Sequence, residues 1–172
     1  MEEAELVQRL GAYAAAQMPG ARDVAVTEIA RITGGASRQT YRFTLVWTEG
    51  GEARRRGLIL RRDPADSLID TERRVEFEAY RAFHGGEVPV PEMLWLEEGD
   101  EALGSPFFVA AEIAGFQAGT GPLWTAPYLE SLPELGRRKW TILGQIARAD
   151  PVALGLAAVL PATRAEDVWR RE

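Results

Sequence analysis

The alternation of apolar and polar residues along the chain predicts a mixed α and β fold. Apolar residues recur at helical spacing over about 3–18, where Pro19-Gly20 ends the pattern. Strand-like alternation follows at 24–32, 40–47 and 58–60, then a second helix at about 70–84 and strands at 93–96 and 107–113. This order predicts an α+β domain with a five-stranded antiparallel sheet and a packed helix.

A change of character after residue 114 predicts a domain boundary. Glycines cluster over 115–121, and this is typical of a linker. Helical spacing then resumes with the apolar residues Leu135, Trp140, Leu143 and Ile146. We therefore predict one domain over residues 1–114, and a hinge or linker with C-terminal helical segments over 115–172.

Composition and charge exclude several classes of protein. A net charge of -6 argues against a nucleic-acid partner. The absence of cysteine and the single histidine exclude a disulfide framework, a thiolate zinc site and a multi-histidine metal site. The first residues are acidic and no apolar run reaches the length of a membrane span, so we expect a cytoplasmic protein without membrane contacts.

A glycine-containing loop between the first two strands is a candidate anion site. Gly34 and Gly35 would let backbone amides approach an anion closely, and Ser37 and Arg38 would add a hydroxyl and a cation. Taken alone, the loop is explained equally well as an ordinary hairpin turn with a solvated tip.

A second candidate is a cation at the end of the third strand, Arg61. The following helix would place residues 72, 76, 79, 80 and 83 on the face packed against the sheet, and Glu78 toward solvent. A glutamate on that face needs a partner, so we predict that Arg61 pairs with Glu76, or failing that with Glu72. Kinases orient a phosphate-binding strand cation in this way. The alternative is a surface helix with i,i+4 ion pairs.

The series of these segments resembles the N-terminal lobe of the aminoglycoside-phosphotransferase family, which has a protein-kinase-like fold. The resemblance covers roughly residues 6–156 and rests on four segments in order, 34–41, 58–64, 76–91 and 104–115. It implies a phosphotransferase that uses ATP or GTP with Mg²⁺ and acts on a hydroxyl of a small molecule.

The resemblance also implies roles for individual residues. Arg61 would stand where many relatives have lysine, Glu76 would be the helix glutamate, and Ala110 would leave room behind the base. Backbone groups of about Glu112 and Ile113 would bind adenine at the hinge between the lobes. The ATP phosphates would be covered by Gly34, Gly35, Ser37 and Arg38. Without the resemblance, residues 107–113 fit an ordinary buried strand equally well.

The residues for phosphoryl transfer itself are the part of the pattern that the chain lacks. There is no asparagine, the only lysine is Lys139, and neither Asp150 nor Asp167 lies in a segment like a kinase catalytic loop. We therefore predict no catalytic residue and no metal ligand in this chain. Residues 115–172 would be the hinge and the first helices of a truncated C-lobe, and the metal ligands would lie in the missing part.

A non-catalytic role is the alternative prediction. A lone kinase-like lobe would serve as an interaction or oligomerisation module, and would pair with a partner or a second copy. The surface normally covered by the second lobe would then be the interface, including the apolar helical face of Trp140, Leu143 and Ile146.

Overall fold

The computed structural model describes residues 1–32, 39–63, 73–115, 124–126 and 128–160. Three α-helices and five strands occur in these ranges. The helices are α1 (Glu3–Gln17), α2 (Arg73–Phe83) and α3 (Leu132–Arg148), and the strands are β1 (Arg22–Ile32), β2 (Gln39–Glu49), β3 (Glu52–Arg62), β4 (Met93–Glu97) and β5 (Phe107–Ala111). None of the described helices combines the length and the apolar character needed to cross a membrane.

The strands form one antiparallel sheet in the order β1-β2-β3-β5-β4. This arrangement confirms the predicted α+β fold with five antiparallel strands. β3 is longer than predicted, because the tight turn at Gly50 and Gly51, both with positive φ, pairs Glu49 with Glu52 and draws the following arginines into the ladder. β5 is shorter than predicted and ends at Ala111, so Glu112 and Ile113 follow the strand.

The hydrophobic core lies between α1 and one face of the sheet, which we call the α1 face. Leu6, Leu10 and Ala14 recur at helical spacing and are buried, so they form the helix side of this core. On the sheet side, β2, β3 and β5 each contribute two alternate residues and β1 contributes one, because successive side chains of a strand point to opposite faces. These buried residues are Val26, Phe43, Leu45, Leu58, Leu60, Phe107 and Val109.

The packing of Tyr13 in α1 affects the ionisation of its phenol. Its ring meets the rings of Phe107 and Trp95 edge-on, at centroid distances of 4.9 and 6.1 Å. Burial, with a smaller contribution from the Glu97 carboxylate, raises the pKa of Tyr13 above the usual value of tyrosine. The folded protein therefore favours the protonated phenol, and this stabilisation is complete below about pH 10 and is lost as the pH rises further.

We expect Tyr13→Phe to remove part of the loss of stability at alkaline pH, since phenylalanine keeps the ring and cannot ionise. The free energy of unfolding of both proteins, measured between about pH 8 and pH 11, tests this. Tyr128→Phe, which changes a tyrosine far along the chain, is the control and should retain the full loss. An identical decline in the wild-type protein and Tyr13→Phe would contradict the assignment.

The chain folds into two compact units. The first contains Met1–Phe77 and Pro91–Ala114, and so includes the whole sheet. The second contains Glu78–Val90 and Gly115–Glu172 and includes α3. The first unit ends where the sequence changes character, whereas the later part of α2 and the segment after it fall in the second unit. The nucleotide-binding role assigned to residues 1–114 stays a prediction.

Candidate functional site

The site lies on the side of the sheet opposite α1, which we call the α2 face. Arg61, Ile59 and Gly57 alternate along β3 and therefore share this face. Phe108 lies opposite Arg61 in the β3–β5 ladder, and Phe77 of α2 meets its ring edge-on at a centroid distance of 6.3 Å. This aromatic contact places the first turns of α2 against the phosphate-binding candidate Arg61.

Arg61 and Glu76 form the ion pair that the sequence predicts. Arg61 Nη1 donates to Glu76 Oε1 at 2.5 Å, and the two side chains are 31% and 22% exposed. The Arg61 guanidinium also lies 5.6 Å from the centre of the Phe108 ring, a cation–π distance. A guanidinium has five N–H donors, so Arg61 can bind an anion while it remains bonded to Glu76.

The orientation of α2 on this face differs from the prediction. Phe77 is the buried residue of the helix, because it meets Phe108 on the sheet, whereas Ala79, Tyr80 and Phe83 are only half-buried. Glu78 was expected to point to solvent, and this is wrong. Its side chain is only 18% exposed, and its Oε2 lies 2.5 Å from Nη2 of Arg81 one turn later. Glu72 lies outside the described residues.

A second ion pair, which sequence reasoning missed, fastens α2 to the sheet. Arg73 at the start of α2 pairs with Asp63, which directly follows β3. The two side chains are only 11% and 14% exposed, so the pair is largely shielded from water. Glu76 follows Arg73 by about one turn, so the contact holds the helix where its glutamate meets Arg61. The sequence feature that could have indicated this ion pair is the aspartate immediately after the strand that ends in Arg61-Arg62.

The opposite end of the α2 face is polar. Ile59 pairs with the buried Ala110, which makes this position of the face apolar. Two residues beyond this pair, the N–H of Glu112 donates to the carbonyl oxygen of Gly57 at 3.0 Å. Of the predicted hinge residues, Ile113 is exposed, and Glu112 retains only its carbonyl oxygen as a backbone group for a base. The adenine contacts assigned to these two residues stay a prediction.

A groove of about 530 Å³ opens beside Gly57, within the size range of small-molecule sites. Its lining is strongly polar and comes from β1, β2, β3 and the end of β5. The lining residues are Glu28, Arg42, Thr44, Arg55, Arg56, Gly57 and Glu112. Sequence reasoning identified only Glu112 among them, because the others become neighbours through strand pairing, which local spacing does not show.

Opposite charges alternate across this groove. Glu28 lies at a β-bulge with a φ of 52°, and its carboxylate accepts bonds from Thr44 Oγ1 at 2.6 Å and Arg55 Nη2 at 3.1 Å. The Thr44 bond and then the Arg55 charge hold the pKa of Glu28 below its usual value. Arg42 Nη1 lies 3.7 Å from Glu112 Oε1. Both charged donors and charged acceptors thus face the groove.

Residues 28–172 match the sequence model of the phosphotransferase enzyme family. The chain belongs to this family. Its fold is similar to that of a Ralstonia eutropha JMP134 protein assigned as an aminoglycoside phosphotransferase, with 19% identity and a TM-score of 0.56. The similarity covers 90% of this chain and 41% of that one. No curated protein shows significant sequence similarity to the chain.

The other predictions for this phosphotransferase family member concern the phosphate-binding residues, metal ligands and an interface. Gly34, Gly35, Ser37 and Arg38 lie outside the described residues, so their role at the phosphates stays a prediction. Within the described ranges, no group of three or more histidine, cysteine or acidic side chains is placed to hold a metal ion. The side chains of Trp140, Leu143 and Ile146 on α3 are exposed, and their use as an interface also stays a prediction.

Proposed function

We propose that this chain is the nucleotide-binding part of a phosphotransferase that moves a phosphoryl group from ATP or GTP to a hydroxyl of a small molecule. Membership of the phosphotransferase enzyme family supports the reaction class. The Arg61–Glu76 ion pair carries the assignment to the nucleotide, because kinases hold the α- and β-phosphates with a strand cation oriented by a helix glutamate.

The surroundings of Arg61 suit this role. Its guanidinium is held by Glu76 on one side and by the Phe108 ring beneath it, so the charge is fixed in direction before an anion arrives. Arginine replaces the more usual lysine, and its planar fork would bind two phosphate oxygens at once. Gly34, Gly35, Ser37 and Arg38 are proposed to cover the phosphates from the β1–β2 connection.

Mg²⁺ and the residues that activate the acceptor hydroxyl are proposed to be held elsewhere in the full enzyme. The described residues contain no cluster suited to a metal ion, and so we assign no Mg²⁺ ligand among them. The chain spans 41% of the length of the solved structure it resembles. When bound with the nucleotide, Mg²⁺ would neutralise phosphate charge, while Arg61 would orient the phosphates.

Calorimetric titration with Mg-ATP and Mg-GTP tests the proposal. We expect saturable binding that Arg61→Ala weakens about tenfold or more, because a hydrogen bond to a charged group is worth about 1.5–3 kcal/mol. Arg74→Ala is the matched control, since Arg74 lies on α2 close to Glu76 and forms an exposed pair with Glu98. Equal affinity in the wild-type protein and Arg61→Ala, or no binding at millimolar nucleotide, would refute the assignment.

A further inference from the structure

The two ends of the α2 face differ in a way that fits the two ends of a nucleotide. Arg61 and Gly57 are four residues apart on β3, about 13 Å at the rise of a strand. The step between them is apolar, because Ile59 lies there opposite Ala110. A nucleotide with its phosphates at Arg61 and its base over Ile59 would direct the outer edge of the base toward Glu112.

Glu112 presents acceptors to that edge. Its N–H is already bonded to the carbonyl oxygen of Gly57, and an ionised carboxylate only accepts hydrogen bonds. The groove beside it is large enough for a base and contains Arg42, whose Nη1 lies 3.7 Å from the carboxylate. The edge of the base that fits best is therefore one with two adjacent donors and a neighbouring acceptor.

We propose that Glu112 makes this site selective for guanine, so that GTP is the phosphoryl donor; the inference rests on the nucleotide-binding function proposed above. The N1–H and 2-amino groups of guanine would donate to the two oxygens of Glu112, and Arg42 would donate to O6. Adenine has an unprotonated N1 in the same position. Two acceptors would then face each other, and that edge of the base would lose its hydrogen bonds to the carboxylate.

Gly57 is the positioning residue for this carboxylate. A Cβ added at Gly57 would lie 3.3 Å from both Cβ and Cδ of Glu112 and would overlap its Oε2. The Glu112 side chain thus rests directly on the Gly57 backbone, in space that any larger residue would fill. The pair with Arg42 does not explain this packing by itself, because a partly exposed pair at 3.7 Å contributes little free energy.

Titration of the 172-residue chain with Mg²⁺ complexes of GTP, ITP and ATP tests the proposal. ITP lacks only the 2-amino group of GTP. We expect GTP to bind at least about tenfold more tightly than ATP, with ITP between them. Glu112→Gln and Gly57→Ala should both reduce GTP affinity about tenfold and change ATP affinity less than about twofold, because one removes the second acceptor and the other displaces it.

Glu98→Gln is the control, since Glu98 is an exposed glutamate of the same unit, and it should leave the GTP preference unchanged. Circular dichroism spectra establish that each variant is folded. ATP binding as tight as GTP binding, or an unchanged preference in both variants, would overturn the guanine assignment while Arg61-dependent binding upheld the nucleotide site. Absence of binding for all three nucleotides would overturn both proposals.

Discussion

Phe107→Ala is expected to lower the free energy of unfolding by about 3–5 kcal/mol. The Phe107 side chain is completely buried at the start of β5, in the core between α1 and the sheet. Its ring meets Tyr13 of α1 at a centroid distance of 4.9 Å, so it joins the helix to the strand. Alanine would lose this contact and leave a cavity that the surrounding β-sheet cannot close.

Urea unfolding gives the magnitude of the Phe107→Ala effect, and hydrogen–deuterium exchange of the β3 and β5 amides localises it to the sheet. Ile113→Ala is the control, because Ile113 is an apolar residue close to the same strand but is exposed. This substitution should lower the free energy of unfolding by less than about 1 kcal/mol. A loss for Phe107→Ala no larger than that of the control would contradict the core described for the α1 face.

Asp63→Ala is expected to lower the free energy of unfolding by about 3–5 kcal/mol, which is the second large effect. Asp63 and Arg73 form a largely buried pair, and removal of the aspartate would take away a carboxylate that balances the Arg73 guanidinium in that environment. The start of α2 would also lose its attachment to the end of β3. Glu76 would then be held less firmly beside Arg61, and we expect nucleotide affinity to fall together with stability.

A double-mutant cycle of Asp63→Ala, Arg73→Met and the double variant measures the coupling of this pair. The double variant should recover part of the stability lost in Asp63→Ala, because the guanidinium that loses this carboxylate is also removed, while nucleotide affinity should stay reduced. The exposed pair of Arg74 and Glu98 is the control, and Glu98→Ala should change stability by less than about 0.5 kcal/mol. Equal destabilisation in the single and double variants would show that Asp63 acts through something other than its charge partner.

The predictions that failed have a common cause. The start of β3 was placed too late, because the arginines after Gly51 carry no strand-like alternation and enter the sheet through pairing with β2. The inward face of α2 was predicted wrongly. Helical spacing shows which residues share one face of a helix, but it does not show how the helix is rotated about its own axis against the sheet. The contact between Phe77 and Phe108 decides that rotation.

The amino-acid sequence by itself determined the order of helices and strands, the family resemblance and the pairing of Arg61 with Glu76. These follow from local periodicity and from a buried charge that needs a partner. Only the tertiary structure decided that Asp63 meets Arg73 and that Glu112 rests on Gly57. Both contacts depend on which elements become neighbours, and β5 lies beside β3 although α2 and β4 separate them along the chain. Spacing along a sequence does not record such long-range pairing, because it is chosen by the packing of the whole sheet.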